Sequence, residues 1–153
     1  MKNRTVAVGC DHAGFALKQT VIDRIIKNGD TALDLGTCGT DSVDYPDFAR
    51  AVALKVAGGE AGLGVLICGS GVGVCIAANK FKNIRAGLCH DTYSAAQGVE
   101  HDHMNVLCLG ARIVGAAVAE SIVDAFLKAR QTTEGRHLRR LGKISEIEKE
   151  NMK

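Results

Sequence analysis

The 153-residue sequence predicts an α/β fold, with a five-stranded parallel sheet covered by helices on both sides. Short apolar segments alternate with amphipathic segments five times, and the connections between them are short. The apolar segments show no polar face, which is typical of strands buried on both sides. Eighteen glycines against one proline supply the tight turns that such a fold requires. At this length one domain over 1–153 can bury roughly 70% of its unfolded surface.

The strands are expected where short apolar runs are bounded by turn residues. In chain order these runs are 5–9, 31–36, 63–68, 84–89 and 105–110.

The helices are expected where apolar residues recur every three or four positions. They lie at 15–27, from Pro46 to the glycines at 58 and 59, at 72–79, at 92–99 and at 116–128. Pro46 suits a first helical turn, because its missing N–H would be unpaired there in any residue. Phe48, Val52 and Val56 are expected to face inward from the second helix, and Val118, Ile122 and Phe126 from the last.

The segment from about 130 to 153 predicts a basic helical tail. Leu138, Leu141, Ile144 and Ile147 recur every third position, so their stripe drifts round the helix. Such a helix either packs on a second subunit or caps its own domain, and both interpretations stay open.

Composition excludes several classes of protein. The net charge is only +2, and two Tyr, four Phe and no Trp offer no stacking platform for nucleic acid. No apolar run approaches the ~18 residues of a membrane span. The six cysteines form no C-x-x-C pair and several lie in apparent strands, which predicts free thiols and a cytoplasmic protein.

The stretch from 65 to 80 indicates a buried strand that turns sharply into a helix. Gly69, Gly71 and Gly73 let the backbone approach a ligand closely, and a helix N-terminus favours an anion or a developing oxyanion. Cys68 is the best candidate for a base, since a helix N-terminus favours the thiolate; the alternative is one more buried cysteine. Ser70 is either a hydroxyl that binds a substrate oxygen or a small turn residue.

Other polar residues cluster at the carboxyl ends of the predicted strands, where ligands bind in parallel sheets. Asp11 and His12 follow the first strand, although Asp11 also suits a helix cap. His101 and His103 flank Asp102 on what is expected to be an extended segment before the fifth strand. They favour an acid/base role over a metal, because no further ligands stand at a recognisable spacing.

Arg112, Arg136 and Arg140 are the favoured anchors for an anion, since guanidinium groups bind phosphate with paired donors. An alternative function is nucleotide binding by the glycine turn, with Asp91 as a ribose ligand. This pattern is weak, because Val74 occupies the place where the fingerprint needs its third glycine.

Several motifs, in family order, resemble the B type of ribose-5-phosphate isomerase. They are Gly-Cys-Asp-His-Ala-Gly at 9–14, Asp-Tyr-Pro at 44–46, Ile-Cys-Gly-Ser-Gly-Val-Gly at 67–73, Ala-Ala-Asn-Lys at 77–80, Asn-Val at 105–106, Gly-Ala-Arg at 110–112 and Gly-Arg-His at 135–137. The resemblance covers about residues 4 to 150, and the family group includes galactose-6-phosphate and allose-6-phosphate isomerases.

The resemblance implies a three-layer, Rossmann-like α/β/α fold and a place in the pentose phosphate pathway. It also implies a homodimer or tetramer with active sites shared between subunits, and neither metal nor organic cofactor. It implies that Cys68 moves the proton between C2 and C1, and that His101 opens the furanose ring with support from Asp11. The remaining roles it implies are the enediolate site at Gly69, Ser70, Gly71, Val72 and Gly73, the phosphate site at His12, Arg112, Arg136 and Arg140, and a sugar contact at Tyr45.

Two residues depart from the family pattern. Asp102 stands where relatives commonly have Asn, and an ionised carboxylate cannot donate the hydrogen bond that an amide donates to a sugar oxygen. Ser70 replaces a common Thr, which keeps the hydroxyl. The substitution at 102 leaves the preferred sugar phosphate open, with allose 6-phosphate, galactose 6-phosphate or a rarer sugar as alternatives to ribose 5-phosphate.

Overall fold

A computed structural model describes residues 3–152 and contains five strands and six helices within them. The strands are β1 (Thr5–Cys10), β2 (Thr31–Asp34), β3 (Leu63–Cys68), β4 (Ala86–Leu88) and β5 (Val106–Gly110). The helices are α1 (Phe15–Lys27), α2 (Tyr45–Ala57), α3 (Val72–Ala78), α4 (Thr92–Asp102), α5 (Ala116–Lys128) and α6 (Gly135–Asn151).

All five strands are parallel, in the order β2-β1-β3-β5-β4. The chain leaves β1 toward one edge to form β2 and then returns to the other side of β1 to form β3. The carboxyl ends of β1 and β3 therefore form the crevice at which such sheets bind ligands.

Each face of the sheet is buried by its own set of helices. On one face Leu17, Val21 and Ile25 of α1 pack with α4, α5 and the strands, around the fully buried Phe126. On the other face Val52 of α2 and Val74 of α3 pack against the sheet. The three-layer α/β/α architecture predicted from the sequence is confirmed, as is Pro46 in the first turn of α2.

Three details differ from the expectations. The edge strands β2 and β4 are shorter than predicted, while α4 continues to Asp102, so His101 and Asp102 lie in a helix and not on an extended segment. The side chain of Val118 is 48% exposed. Steps of four residues advance 40° beyond each helical turn, so a face centred on Ile122 and Phe126 excludes Val118.

The tail forms helix α6, which contacts α4 and reaches back to the turn before β4. The N–H of Asn83 donates to Glu148 Oε1 at 2.6 Å. The apolar stripe is only partly covered, because Leu138, Ile144 and Ile147 are 43, 42 and 60% exposed. Lys153, at the end of the predicted tail, lies outside the described residues. Over residues 3–152, no helix combines the length and apolarity of a membrane span.

Candidate active site

A cleft of about 380 Å³ opens at the carboxyl ends of β1, β3 and β5. Its lining residues are Asp11, His12, Ala13, Tyr45, Cys68, Gly69, Ser70, Gly73, Arg112 and Ile113. Eight of these ten residues were predicted from the sequence; the exceptions are Ala13 and Ile113. We use the name cleft for this cavity below.

Cys68 ends β3 at the floor of the cleft and is 5% exposed. The N–H of Gly71 donates to Cys68 Sγ at 3.1 Å, which fixes the sulfur beside the glycine turn. Gly71 has φ of +79°, and a Cβ there would lie 2.8 Å from the backbone carbonyl carbon of Leu109. Only glycine therefore permits this turn, and with it the position of the sulfur.

The turn also presents a hydroxyl to the cleft. Ser70 Oγ accepts a hydrogen bond from the N–H of Val72 at 3.2 Å. A Cβ added at Gly73 would lie 2.8 Å from the ring of Tyr45, so the Tyr45 side chain rests directly on the backbone of the turn. The hydroxyl and the phenol ring thus line the same cleft as the sulfur.

Asp11 and His12 are both fixed by backbone groups. Asp11 Oδ1 accepts from the N–H groups of Ala13 and Gly14, each at 3.0 Å, and so fixes the turn before α1. The cap of α1 is Gly14 and not Asp11, so the helix-cap alternative for Asp11 is wrong. His12 Nδ1 accepts from the N–H of Val43 at 3.2 Å. In the neutral ring the proton is then on Nε2, which leaves His12 a donor for a ligand.

Arg112 completes the cleft from the end of β5. Its N–H donates to the carbonyl of Gly69 at 3.0 Å, and its guanidinium lies over the same residue, because a Cβ at Gly69 would be 3.3 Å from Nη1. A cation and a histidine N–H thus border the cleft near the cysteine and the serine. An anionic group on a ligand would meet both.

Six predicted site residues do not line the cleft. Gly71 and Val72 belong to the glycine turn itself, whereas His101, Asp102, Arg136 and Arg140 lie elsewhere. Helix α4 runs back from the carboxyl edge of the sheet, so His101 in its last turn lies near the amino end of β5. The length of β5, roughly 15 Å, separates His101 from the cleft at the carboxyl end. The ring of His101 stacks on His137 of α6, with centroids 3.8 Å apart and planes at 15°. Arg136 and Arg140 are exposed on the same helix. We call His101, Arg136, His137 and Arg140 the helix-end group.

Asp102 belongs neither to the cleft nor to the helix-end group. It is exposed and lines a second cavity of about 380 Å³ between β4, α4 and α6, which also contains Arg85, Met104 and Ile144. His103 caps α4 in the left-handed conformation at φ of 52°. Among residues 3–152, no three His, Cys, Asp or Glu side chains stand close enough to hold a metal ion.

Asp91, the ribose ligand of the nucleotide alternative, has a structural task. Its carboxylate accepts from the N–H of Ser94 at 2.7 Å and caps α4. This hydrogen bond is the main cause that lowers the pKa of Asp91. Asp91 does not line the cleft, so the glycine turn has no acidic ribose ligand of the expected kind.

Asn79 has no predicted role, although it belongs to the Ala-Ala-Asn-Lys motif at 77–80. Its side chain donates to the carbonyl of Ala86 and accepts from the N–H of the same residue, both at 2.9 Å. The amide thus pairs with edge strand β4 as a neighbouring strand would. Beside it, Cys75 donates to the Ala86 carbonyl at 3.5 Å, and its hydrogen bond with Cys108 lowers the pKa of Cys75 to about 7.

The chain is similar to known isomerases over almost its whole length. A profile of the family described as Ribose/Galactose Isomerase matches residues 6–144. The chain is 48% identical to ribose-5-phosphate isomerase B of Escherichia coli, over 95% of this chain and 97% of the relative. It is 42% identical to galactose-6-phosphate isomerase subunit LacB of Clostridium acetobutylicum, over 82% of this chain and 72% of the relative.

One similar solved structure contains a bound sugar phosphate. The structure of ribose-5-phosphate isomerase B from Mycoplasma genitalium with bound ribulose 5-phosphate is 43% identical, with a TM-score of 0.89. The alignment covers 96% of this chain and 97% of that one.

Proposed function

The chain belongs to the ribose/galactose isomerase family, and on that premise we propose that it interconverts ribose 5-phosphate and ribulose 5-phosphate as a single domain. The protein is an aldose–ketose isomerase. The observation that carries the finer proposal is the position of Cys68, whose sulfur is fixed beside an oxyanion-type turn in a cleft bordered by Arg112 and His12.

In the proposed reaction Cys68 removes the proton from C2 of the open-chain aldose. The electron pair forms the C1–C2 double bond of an enediolate, and the negative charge develops on O1. Donors of the turn at 69–73 and the Ser70 hydroxyl stabilise that charge. The proton then returns to C1, while the O2 proton is lost and O1 is protonated, which gives the ketose.

Ribose 5-phosphate is mainly a furanose, so its ring opens first. We assign this step to His101, which takes the proton from the C1 hydroxyl while the C1–O4 bond breaks and O4 is protonated. Asp11 supports the open chain in the cleft. Because His101 lies roughly 15 Å of strand from its own cleft, it acts in this proposal on a neighbouring subunit.

The phosphate is assigned to basic groups from two sides. His12 and Arg112 border the cleft of one subunit, and Arg136 and Arg140 project from α6 of the other. Their grip on a remote phosphate lets binding energy position the reacting carbons. The protein is therefore proposed to be a homodimer or a tetramer, and its free thiols fit a reducing cytoplasm.

Mixing two inactive variants tests the shared site. Cys68→Ala and His101→Gln are each inactive in the proposal, but a heterodimer has one site with both defects and one with neither. Random mixing makes half of the dimers heterodimers. About a quarter of the wild-type activity should therefore return, by the logic that a C2 interface uses the same surface twice.

The controls for this experiment are the unmixed variants and a double variant that carries both changes. Mixing equal amounts of wild-type protein and the double variant should lower the activity from one half to about one quarter of the wild-type level, because both shared sites of that heterodimer carry one defect. If the two single variants are mixed, exchange subunits and stay inactive, then Cys68 and His101 act within one chain, and the shared site is wrong.

A second substrate class has a specific observation in its favour. The carboxylate of Asp102 stands where relatives commonly have the amide of Asn, so a hydrogen-bond donor to the sugar is lost. The family also contains a galactose-6-phosphate isomerase subunit that is 42% identical to this chain. The proposal ranks ribose 5-phosphate first by kcat/KM, ahead of allose 6-phosphate and galactose 6-phosphate. A higher kcat/KM for either hexose phosphate would give the enzyme a different substrate while keeping its chemistry.

A further inference from the structure

His137 is buried, polar and not used in the mechanism described above. Its side chain is 6% exposed, and within residues 3–152 its Nε2 has no hydrogen-bond partner. A buried imidazole nitrogen without a hydrogen-bond partner lowers the stability of the fold, so its presence calls for an explanation, and the shape of the ring offers one. The face of this ring lies parallel to His101 at a centroid distance of 3.8 Å.

The charges around His137 keep it uncharged. Burial lowers its pKa most, and the positive charges of His101, Arg136 and Arg140 lower it further. The carboxylate of Glu134, with Oε2 3.7 Å from His137 Nε2, opposes this shift. Glu134 also accepts from Arg136 Nε at 2.9 Å, which divides its charge between two partners. Near neutral pH His137 is therefore a neutral, flat surface.

We propose that His137 is a positioning residue that holds the imidazole of His101 in the orientation needed to open the furanose ring. This inference rests on the proposed function, in which His101 moves the protons of ring opening. His101 is half-buried at the end of α4, and the stack on His137 restricts rotation of its side chain. A neutral platform also lets His101 carry a proton without repulsion from a like charge at van der Waals distance.

The two directions of the reaction separate this role from a general structural one. Ribose 5-phosphate requires ring opening before proton transfer. Ribulose 5-phosphate is acyclic, because its O5 carries the phosphate and cannot close on C2. Exchange of the C1 protons of ribulose 5-phosphate with D2O therefore reports proton transfer by Cys68 alone, and it can be followed by NMR.

His137→Ala removes the platform. We expect kcat on ribose 5-phosphate to fall roughly 10-fold or more, with KM within about twofold of wild type. Exchange at C1 of ribulose 5-phosphate should stay within about threefold of wild type. If His137→Ala does not fold, His137→Leu replaces it in the test, because leucine is similar in size to histidine but not planar. The same loss of kcat on ribose 5-phosphate and the same retained exchange are then expected.

His137→Phe is the matched control, because phenylalanine keeps a flat neutral ring and loses no hydrogen bond at Nε2. It should stay within about threefold of wild type in both assays, with an unchanged acidic limb of the kcat/KM profile. A phenylalanine variant as slow as the alanine variant, or a shifted acidic limb, would overturn the platform role. So would equal losses in both directions, or an alanine variant as fast as wild type. If the proposed function itself is wrong, the wild-type protein will not exchange the C1 protons of ribulose 5-phosphate with D2O, which distinguishes that failure from a failure of the platform role.

Discussion

The cleft and the helix-end group carry similar side chains but are constructed in opposite ways. In the cleft, each reactive group is fixed by backbone: Cys68 by the N–H of Gly71, and His12 by the N–H of Val43. In the helix-end group, Arg136 and Arg140 are exposed on a helix that touches little besides α4. Hydrogen bonds within one chain hold the first region, whereas the arginines of the second project into solvent. In the proposed function Cys68 has to meet one carbon and is held by the backbone, whereas the exposed arginines of α6 have only to reach a phosphate.

The largest expected effect tests the rigid half of this comparison. Cys68→Ala should lower kcat by about 10³-fold or more, because removal of a general base costs roughly 10²–10⁴-fold and, among residues 3–152, no other thiol lines the cleft. Steady-state kinetics on ribose 5-phosphate measure it. Cys38→Ala, at an exposed cysteine, should leave kcat unchanged. A kcat near wild type in Cys68→Ala would remove the thiol from the mechanism.

The next effect tests the exposed half. Arg140→Ala should raise KM by roughly 10-fold or more while kcat changes less, since loss of a phosphate contact weakens ground-state and transition-state binding alike. Arg112→Ala should do the same from the cleft side. Arg139→Ala, which changes the neighbouring residue on α6, is the control for net charge. If Arg139→Ala and Arg140→Ala raise KM equally, α6 contributes a diffuse field and not a specific contact.

A smaller effect tests the pairing of Asn79 with edge strand β4, which holds the end of α3 against the sheet. Asn79→Ala leaves the N–H and carbonyl of Ala86 without their side-chain partner, which should cost about 1–3 kcal/mol in urea unfolding. Because α3 begins at the glycine turn, kcat should fall as well. Asn151→Ala removes a single exposed amide bond at the end of α6 and should cost little. An unchanged free energy of unfolding in Asn79→Ala would show that the pairing does not stabilise the edge of the sheet.

The smallest effect concerns stability far from both regions. Arg24, Asn28 and Lys128 donate to Asp124, and the hydrogen bond from Arg24 is the main cause that lowers its pKa well below the usual value. A lowered pKa stabilises the fold above the unfolded value of about 3.9, and that contribution is lost as pH falls below it. Asp124→Asn should lower Tm at pH 7 by about 2–6 °C. The difference should shrink below pH 4 if the charge is responsible, and kcat should not change.

Most of the fold and most of the cleft could be predicted from the sequence. The bounds of α1, β3 and α5 match the prediction because apolar periodicity and flanking glycines act locally. The rule that ligands bind at the carboxyl ends of parallel strands brought Asp11, Cys68 and Arg112 together without knowledge of any distance. That these three residues line one cleft thus followed from topology.

What sequence reasoning missed depends on contacts between distant residues. The last turn of α4 carries Glu100, His101 and Asp102, so apolar periodicity has no signal there, and the helix ends at His103 and not at a glycine. The stack of His101 on His137 joins residues of two helices that are 36 positions apart in the sequence, and no spacing rule reports it. Asn79 was visible only as part of a motif, because its pairing with β4 depends on where the sheet ends.

The amide of Asn79 has a consequence for the protein in a crowded solution. Edge strands with free N–H and carbonyl groups recruit strands from other molecules and start aggregates. At Ala86 both groups are already occupied by a side chain of the same chain. One asparagine thus protects the Ala86 position of this edge against strand addition, and it does so from the end of the helix that follows the glycine turn.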